Sequence, residues 1–155
     1  MEDGEWTPAE LHCRHLLVCR TIWYDHNRPD DGFSLGKLVV RLSPDPPGEF
    51  PLRVDRLFVF AQLFGTPDEY RLLVRLLRID RTEFGEEVET QLGPDEEPLQ
   101  FRIHKPFTIT GLLLVDAFAL PITNLPFPTP GQYEFQLWWD GNDEPLARER
   151  LEVVP

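Results

Sequence analysis

The side chains that could do chemistry in this sequence fall into four groups, and each asks for its own local geometry. Gly32-Phe33-Ser34-Leu35-Gly36 has the G-x-S-x-G spacing of a nucleophile elbow, in which a strand delivers the serine to a sharp turn and a helix follows. Here a polar loop precedes Ser34, and Lys37-Leu38-Val39-Val40-Arg41-Leu42 reads as a strand after it. The glycines therefore suit a turn needing positive φ rather than a catalytic elbow. His12, Cys13, His15 and Cys19 are zinc-ligand types, but a strand sends Cys13 and His15 to one face and His12 to the other. A structural zinc needs four ligands, and His26 and His104 stand alone in sequence, so neither a metal nor a cofactor is expected. Asp25 and His26, with Asp30 and Asp31 close by, could do acid–base work or simply form a turn. Asp140, Asn142, Asp143 and Glu144 supply oxygens, yet without the ligand spacing and closing glutamate of an EF-hand.

Charge narrows the partners. The chain of 155 residues carries 27 acidic and 15 basic side chains, a formal net charge of −12. The acids gather at Glu2, Asp3 and Glu5, at Asp30-Asp31, Asp68-Glu69, Glu86-Glu87, Asp95-Glu96-Glu97 and around Asp140, all places where loops fit. Such a balance argues against nucleic acid and against anionic membrane surfaces as partners. No stretch approaches the roughly 20 apolar residues of a membrane span. Met1-Glu2-Asp3-Gly4-Glu5 is unlike a secretory leader, so the cytoplasm is the expected location. Cys13 and Cys19, placed on one strand, would lie about 20 Å apart, too far for a disulfide. Two free, mostly buried thiols follow.

The elements that must position these groups read as strands. Residues 11–24 alternate, with the odd positions Leu11, Cys13, His15, Leu17 and Cys19 as the expected core face. Residues 33–42 form a second strand, with a break placed at Gly36. Residues 54–64 and 70–79, joined across Gly65-Thr66-Pro67-Asp68, look like a hairpin. Residues 83–92 form a weak polar edge strand, residues 99–110 another with a bulge at Pro106, and the proline-rich stretch 121–131 an extended corner. Residues 132–139 alternate cleanly, Tyr133, Phe135, Leu137 and Trp139 inward against Gln132, Glu134, Gln136 and Trp138 outward, and residues 146–154 return as the last strand. An N-terminal arm, residues 1–10, leads into one all-β domain, residues 11–155. Its expected architecture is an immunoglobulin-like, two-sheet antiparallel β-sandwich of about eight strands.

The corner Pro130-Gly131 with Gln132-Tyr133-Glu134-Phe135-Gln136-Leu137-Trp138 resembles the closing hairpin of immunoglobulin-like bacterial domains. With His15 to Thr21, the turn at Gly32 to Gly36, and Arg56-Leu57-Phe58-Val59-Phe60-Ala61-Gln62-Leu63-Phe64-Gly65, nearly the whole chain resembles an uncharacterised β-sandwich family abundant in planctomycetes. That resemblance implies the fold and a bacterial origin but no activity.

A sandwich strand buries one face only, and residues 54–64 and 132–139 are too apolar for that. Phe58, Phe60, Phe64 and Trp138 are therefore expected on outer faces. There they either form an interface or lie beneath the N-terminal arm with Trp6 or the 121–131 corner. The expected function is a non-enzymatic interaction module that binds a protein partner or a second copy through a sheet face or edge. The alternatives are a small-ligand or ion-binding domain using the acidic loops, and a hydrolase or enzyme accessory built around His26.

Overall fold

The computed structural model describes residues 10–24, 27, 32–103, 106–109, 115–140 and 142–155. Twelve strands occur among the described residues: β1 (Leu11–Tyr24), β2 (Phe33–Leu38), β3 (Arg41–Leu42), β4 (Leu52–Gly65), β5 (Asp68–Tyr70), β6 (Leu72–Arg81), β7 (Glu87–Gln91), β8 (Leu99–Arg102), β9 (Phe107–Ile109), β10 (Val115–Phe127), β11 (Gly131–Trp139) and β12 (Ala147–Val153). The first sheet runs β10-β4-β1-β2 and the second β3-β12-β11-β6-β7, with β8 also paired to β6. β5 and β9 make a separate two-stranded ladder. The all-β, two-sheet antiparallel class is the one expected from the alternation. Nine strands remain, close to the eight or so expected, once β3, β5 and β9, ladders of two or three residues, are set aside.

Alternation places the core. Leu57, Val59, Ala61 and Leu63 of β4 are fully buried and share one apolar cluster with Val74 and Leu76 of β6 and Tyr133, Phe135 and Leu137 of β11. Each buried Val, Leu or Phe among them contributes about 1.5–3 kcal/mol through its burial. β11 and β12 pair antiparallel from Gly131–Val153 to Leu137–Ala147, the closing hairpin read from the sequence.

Four local expectations need correction. β4 and β6 do not form a hairpin: both bury one face in the core, so the chain crosses from one sheet to the other between them. Tyr70 fixes that crossing by donating its hydroxyl to the Thr66 carbonyl (2.6 Å), with the Glu10 carbonyl 3.1 Å away. Residues 33–42 split between the sheets, because β3 leaves β2 to pair parallel with β12. Residues 99–109 likewise split, β8 joining β6 and β9 joining β5. The 121–131 stretch is largely strand, since β10 runs to Phe127 as an edge strand, the place in a sheet where Pro121 and Pro126 are tolerated.

A bulge between Cys13 and His15 shifts the register of β1 against β4. One extra residue exchanges the faces of everything that follows. The core side chains of β1 beyond it are therefore Leu16 and Val18, not the odd positions. Cys13 packs against the core while buried Cys19 lies outside that cluster, and both thiols are free.

Candidate functional site

The groups singled out by their chemistry do not converge. Ser34 lies within β2, paired with Trp23, not on a strand-to-helix turn. Gly32 has φ +74, whereas Gly36 is needed because a side chain there would collide with the Thr21 hydroxyl. His12 stacks on Phe64 with ring centroids 5.2 Å apart, and His15 is exposed. The Cys13 thiol donates to the His15 carbonyl (3.2 Å), and burial pushes its pKa up to about 11. Among the described residues no three His, Cys, Asp or Glu side chains are grouped to hold a metal. The Asn142 amide is spent on the Glu144 carbonyl at 3.1 Å. Trp6, Asp25, His26, Asp30, Asp31, His104 and Gly141 lie outside the described residues.

The four outer-face aromatics have neighbours within the chain. Phe60 is met edge-on by Phe33 of β2 at 5.7 Å, and Phe33 in turn lies 5.1 Å from Tyr24. Phe33 pairs with Tyr24, five residues past the last β1–β4 pair at Cys19. The β1–β2 hairpin must therefore bend back over β4 for this contact to form. Phe58 carries the Arg56 guanidinium 5.9 Å from its ring centre. Trp138 is capped by Arg75 at 4.5 Å, and its indole N–H donates to Gln136 Oε1 (3.0 Å). Phe64 retains 40% exposure.

The outer face of the second sheet is the most constrained polar region. Alternation turns Glu134 and Gln136 of β11 away from the core, yet each is only 1% exposed. The cover comes from β7. Along one row Arg150 pairs with Glu134, Glu134 with Leu77, and Leu77 with Gln91. Arg150 nevertheless grips Glu87, four positions along β7 from Gln91, at 2.9 and 2.6 Å. The β6–β7 hairpin must curl over the sheet face to bring them together. Buried Glu134 accepts from Arg150 Nε (3.2 Å) and Gln136 Nε2 (2.7 Å), with Arg148 Nη1 at 3.6 Å. Gln136 Nε2 and Arg148 both reach Glu89, at 3.1 and 3.3 Å. A buried carboxylate is tolerable only with such pairing. Hydrogen bonds and charge from Arg150 hold the Glu87 carboxyl below its usual range, and those from Glu87 and then Glu134 raise the Arg150 pKa.

This network anchors a display. At the hairpin tip the Gly85 amide donates to the Thr82 carbonyl (2.9 Å) and the Thr82 amide to the Glu86 carbonyl (2.8 Å). The Glu86 amide donates to the Thr82 hydroxyl at 3.2 Å. Gly85 takes the left-handed conformation, φ +80, that closes this turn. Behind the tip, Thr90 and Arg78 both donate to Asp80, at 2.6 and 3.1 Å, holding its carboxyl below the usual range. At the apex Phe84 is 88% exposed, with Val88 at 45% beside it. Phe84 and Glu87 escape sequence reading because 83–92 scans as a weak polar edge, and the link of Glu134, Arg148 and Arg150 to it depends on the curl of β7. The signal available was an aromatic directly before a turn glycine.

The fold is similar to a Pseudomonas fluorescens structure, alkylpurine DNA glycosylase AlkC bound to DNA containing an abasic site analog, at 14% identity and a TM-score of 0.51. The match covers 95% of this chain and 31% of that one, so this chain spans about a third of its length. At that identity the likeness is one of fold alone. It corrects the expected partner set, a protein or second copy with nucleic acid excluded, because a domain of this fold occurs in a protein bound to DNA. The physical reason is that net charge is a sum, while recognition is local: Arg71, Arg75 and Arg102 share one end of a face that is acidic at its other end. No curated protein matches this sequence. Residues 46–154, which include the hairpin and its anchoring network, match the model of a family of unknown function, DUF6941.

Proposed function

We propose, for a chain that belongs to the DUF6941 family, that it is a non-catalytic interaction module docking another protein through the β6–β7 edge hairpin, with Phe84 as its anchor. The observation that carries this reading is a large aromatic at 88% exposure on a tip closed by three hydrogen bonds. Exposed apolar surface costs solubility, and a rigid aromatic loses little entropy on insertion, the property that makes such residues interface anchors. Exposed Glu83 and Glu86 flank Phe84. The complementary partner presents an apolar pocket rimmed by basic side chains. The free thiols support a reducing, cytoplasmic setting. The Tyr133 hydroxyl, which donates to the Thr129 carbonyl at 2.7 Å, supports an immunoglobulin-like reading of the sandwich.

The test is affinity capture from the host's extract on the immobilised chain, followed by nuclease treatment of the retained material, with Phe84→Ser and the exposed control Trp23→Ser in parallel. A defined protein retained by the wild type and by Trp23→Ser but lost with Phe84→Ser supports the reading. Retention unaffected by Phe84→Ser overturns it, as does retained material that is nucleic acid released by the nuclease.

A further inference from the structure

We infer that a cleft at the opposite end of the same sheet face binds a small organic monoanion, a carboxylate carried on an apolar body. The cleft, of about 190 Å³, is lined by Arg71, Leu72, Leu73, Arg102, Ile103, Pro106 and Asp140. Its walls come from the start of β6, the end of β8 and the turn after β11. Arg102 is the cross-strand partner of Leu73, so Arg71, two residues before Leu73, is its diagonal neighbour. Both arginines are exposed. Among the described residues neither is ion-paired, unlike Arg41, Arg78, Arg81, Arg148 and Arg150. Two guanidinium forks on one cleft suit an anion with two or more oxygens.

The rest of the lining sets the body of the ligand. Leu72 turns into the core and Leu73 is buried at the base, so the accessible apolar side is half-buried Ile103 and exposed Pro106. That side gives an alkyl or aryl group somewhere to go that inorganic phosphate cannot use. Asp140 limits the charge. Its amide donates to the Arg71 carbonyl (2.9 Å), which holds it on the rim. A carboxylate there opposes a second negative charge, so a monoanion is preferred to a dianion. The site uses none of the hairpin residues, and its failure leaves the Phe84 reading untouched.

The experiment is a titration of the isotope-labelled chain, followed by NMR at the arginine Nε–H groups and the amides of Arg102, Ile103 and Asp140. The probes are benzoate, phenyl phosphate, inorganic phosphate and a short single-stranded oligonucleotide, with Arg14→Gln as the exposed control. Saturable shifts at these positions, at least about tenfold tighter for benzoate than for the dianionic phenyl phosphate or for inorganic phosphate, support the proposal. So do their loss in Arg71→Gln with Arg102→Gln and a several-fold gain in Asp140→Asn. Equal shifts with every anion, shifts unchanged in the double variant, or tighter binding of the oligonucleotide than of the small anions overturn it.

Discussion

Arg150 of β12 holds Glu87 of β7 through N–H···O bonds of 2.9 and 2.6 Å, although β11 and β6 separate the two strands in the sheet. That span makes β7 a cover rather than an outlying edge. It accounts for the burial of Glu134 on a face that alternation turns to solvent. It also fixes the hairpin whose tip carries Phe84.

Removing the buried carboxylate tests the cover. Glu134→Ala leaves Arg148 and Arg150 without their shared partner and the Gln136 amide short of one acceptor. Because both arginines keep contact with water, the expected cost is about 1–3 kcal/mol rather than the larger figure for a fully buried pair. Urea unfolding should show the midpoint falling with an unchanged slope. An unchanged midpoint would mean that Glu134 is buried without being held.

Arg150→Met should free the hairpin locally. It removes both bonds to Glu87 and one to Glu134. Hydrogen exchange of the β7 amides should quicken by about tenfold or more, corresponding to roughly 1.4 kcal/mol of lost local stability. The β4 and β11 core amides should change only as far as global stability does. Equal acceleration everywhere would show that β7 is not a separate opening unit.

Acid should loosen this region first. Asp80, through Thr90 and then Arg78, and Glu87, through Arg150, are held below their ordinary values of 3.8 and 4.5. A depressed folded-state pKa contributes stability in full above the unfolded value and loses it as pH falls through the folded one. Glu149 has the opposite sign: burial raises it above 4.5, so its contribution is present at low pH and lost as pH rises through its folded value. The melting temperature should therefore hold near neutrality and fall below about pH 4. The fall should be shallower in Arg150→Met, and Glu149→Gln should be more stable than wild type at pH 7. An identical acid slope in Arg150→Met would contradict the Glu87 assignment.

Cys13 should be nearly inert. With its pKa moved from 9.0 to about 11, its thiolate fraction at pH 8 falls by roughly a hundredfold. Cys19 shifts upward for the same reason, burial. Mass spectrometry after iodoacetamide treatment should show both thiols unmodified in the native chain and both labelled in urea. Rapid native labelling of Cys13 would place it at the surface.

Legibility followed periodicity. Tyr133, Phe135 and Leu137 announce β11 and its inward face because one neighbour in two is apolar. The β11–β12 hairpin follows from the same run. The bulge at Cys13 and His15 has no such signature, because it depends on how β1 registers against β4, some 50 positions away in the chain. Sheet membership of β4 and β6 was equally hidden: a tight turn at Gly65 serves a hairpin or a crossing alike, and packing of both strands' apolar faces decides. The outward assignment of Glu134 and Gln136 was correct in direction, but their burial depends on the curl of β7. Phe84 was passed over because its neighbours are charged, which is also why its exposure is informative.

Docking through Phe84 is tested by photo-crosslinking in the host cell with benzoylphenylalanine at position 84, compared with the same group at positions 23 and 40, which are also exposed. Position 84 should give one discrete protein adduct, weakened by Glu83→Lys with Glu86→Lys and absent from the two controls. No adduct at 84, the same adducts from all three positions, or an adduct that nuclease digests would contradict it.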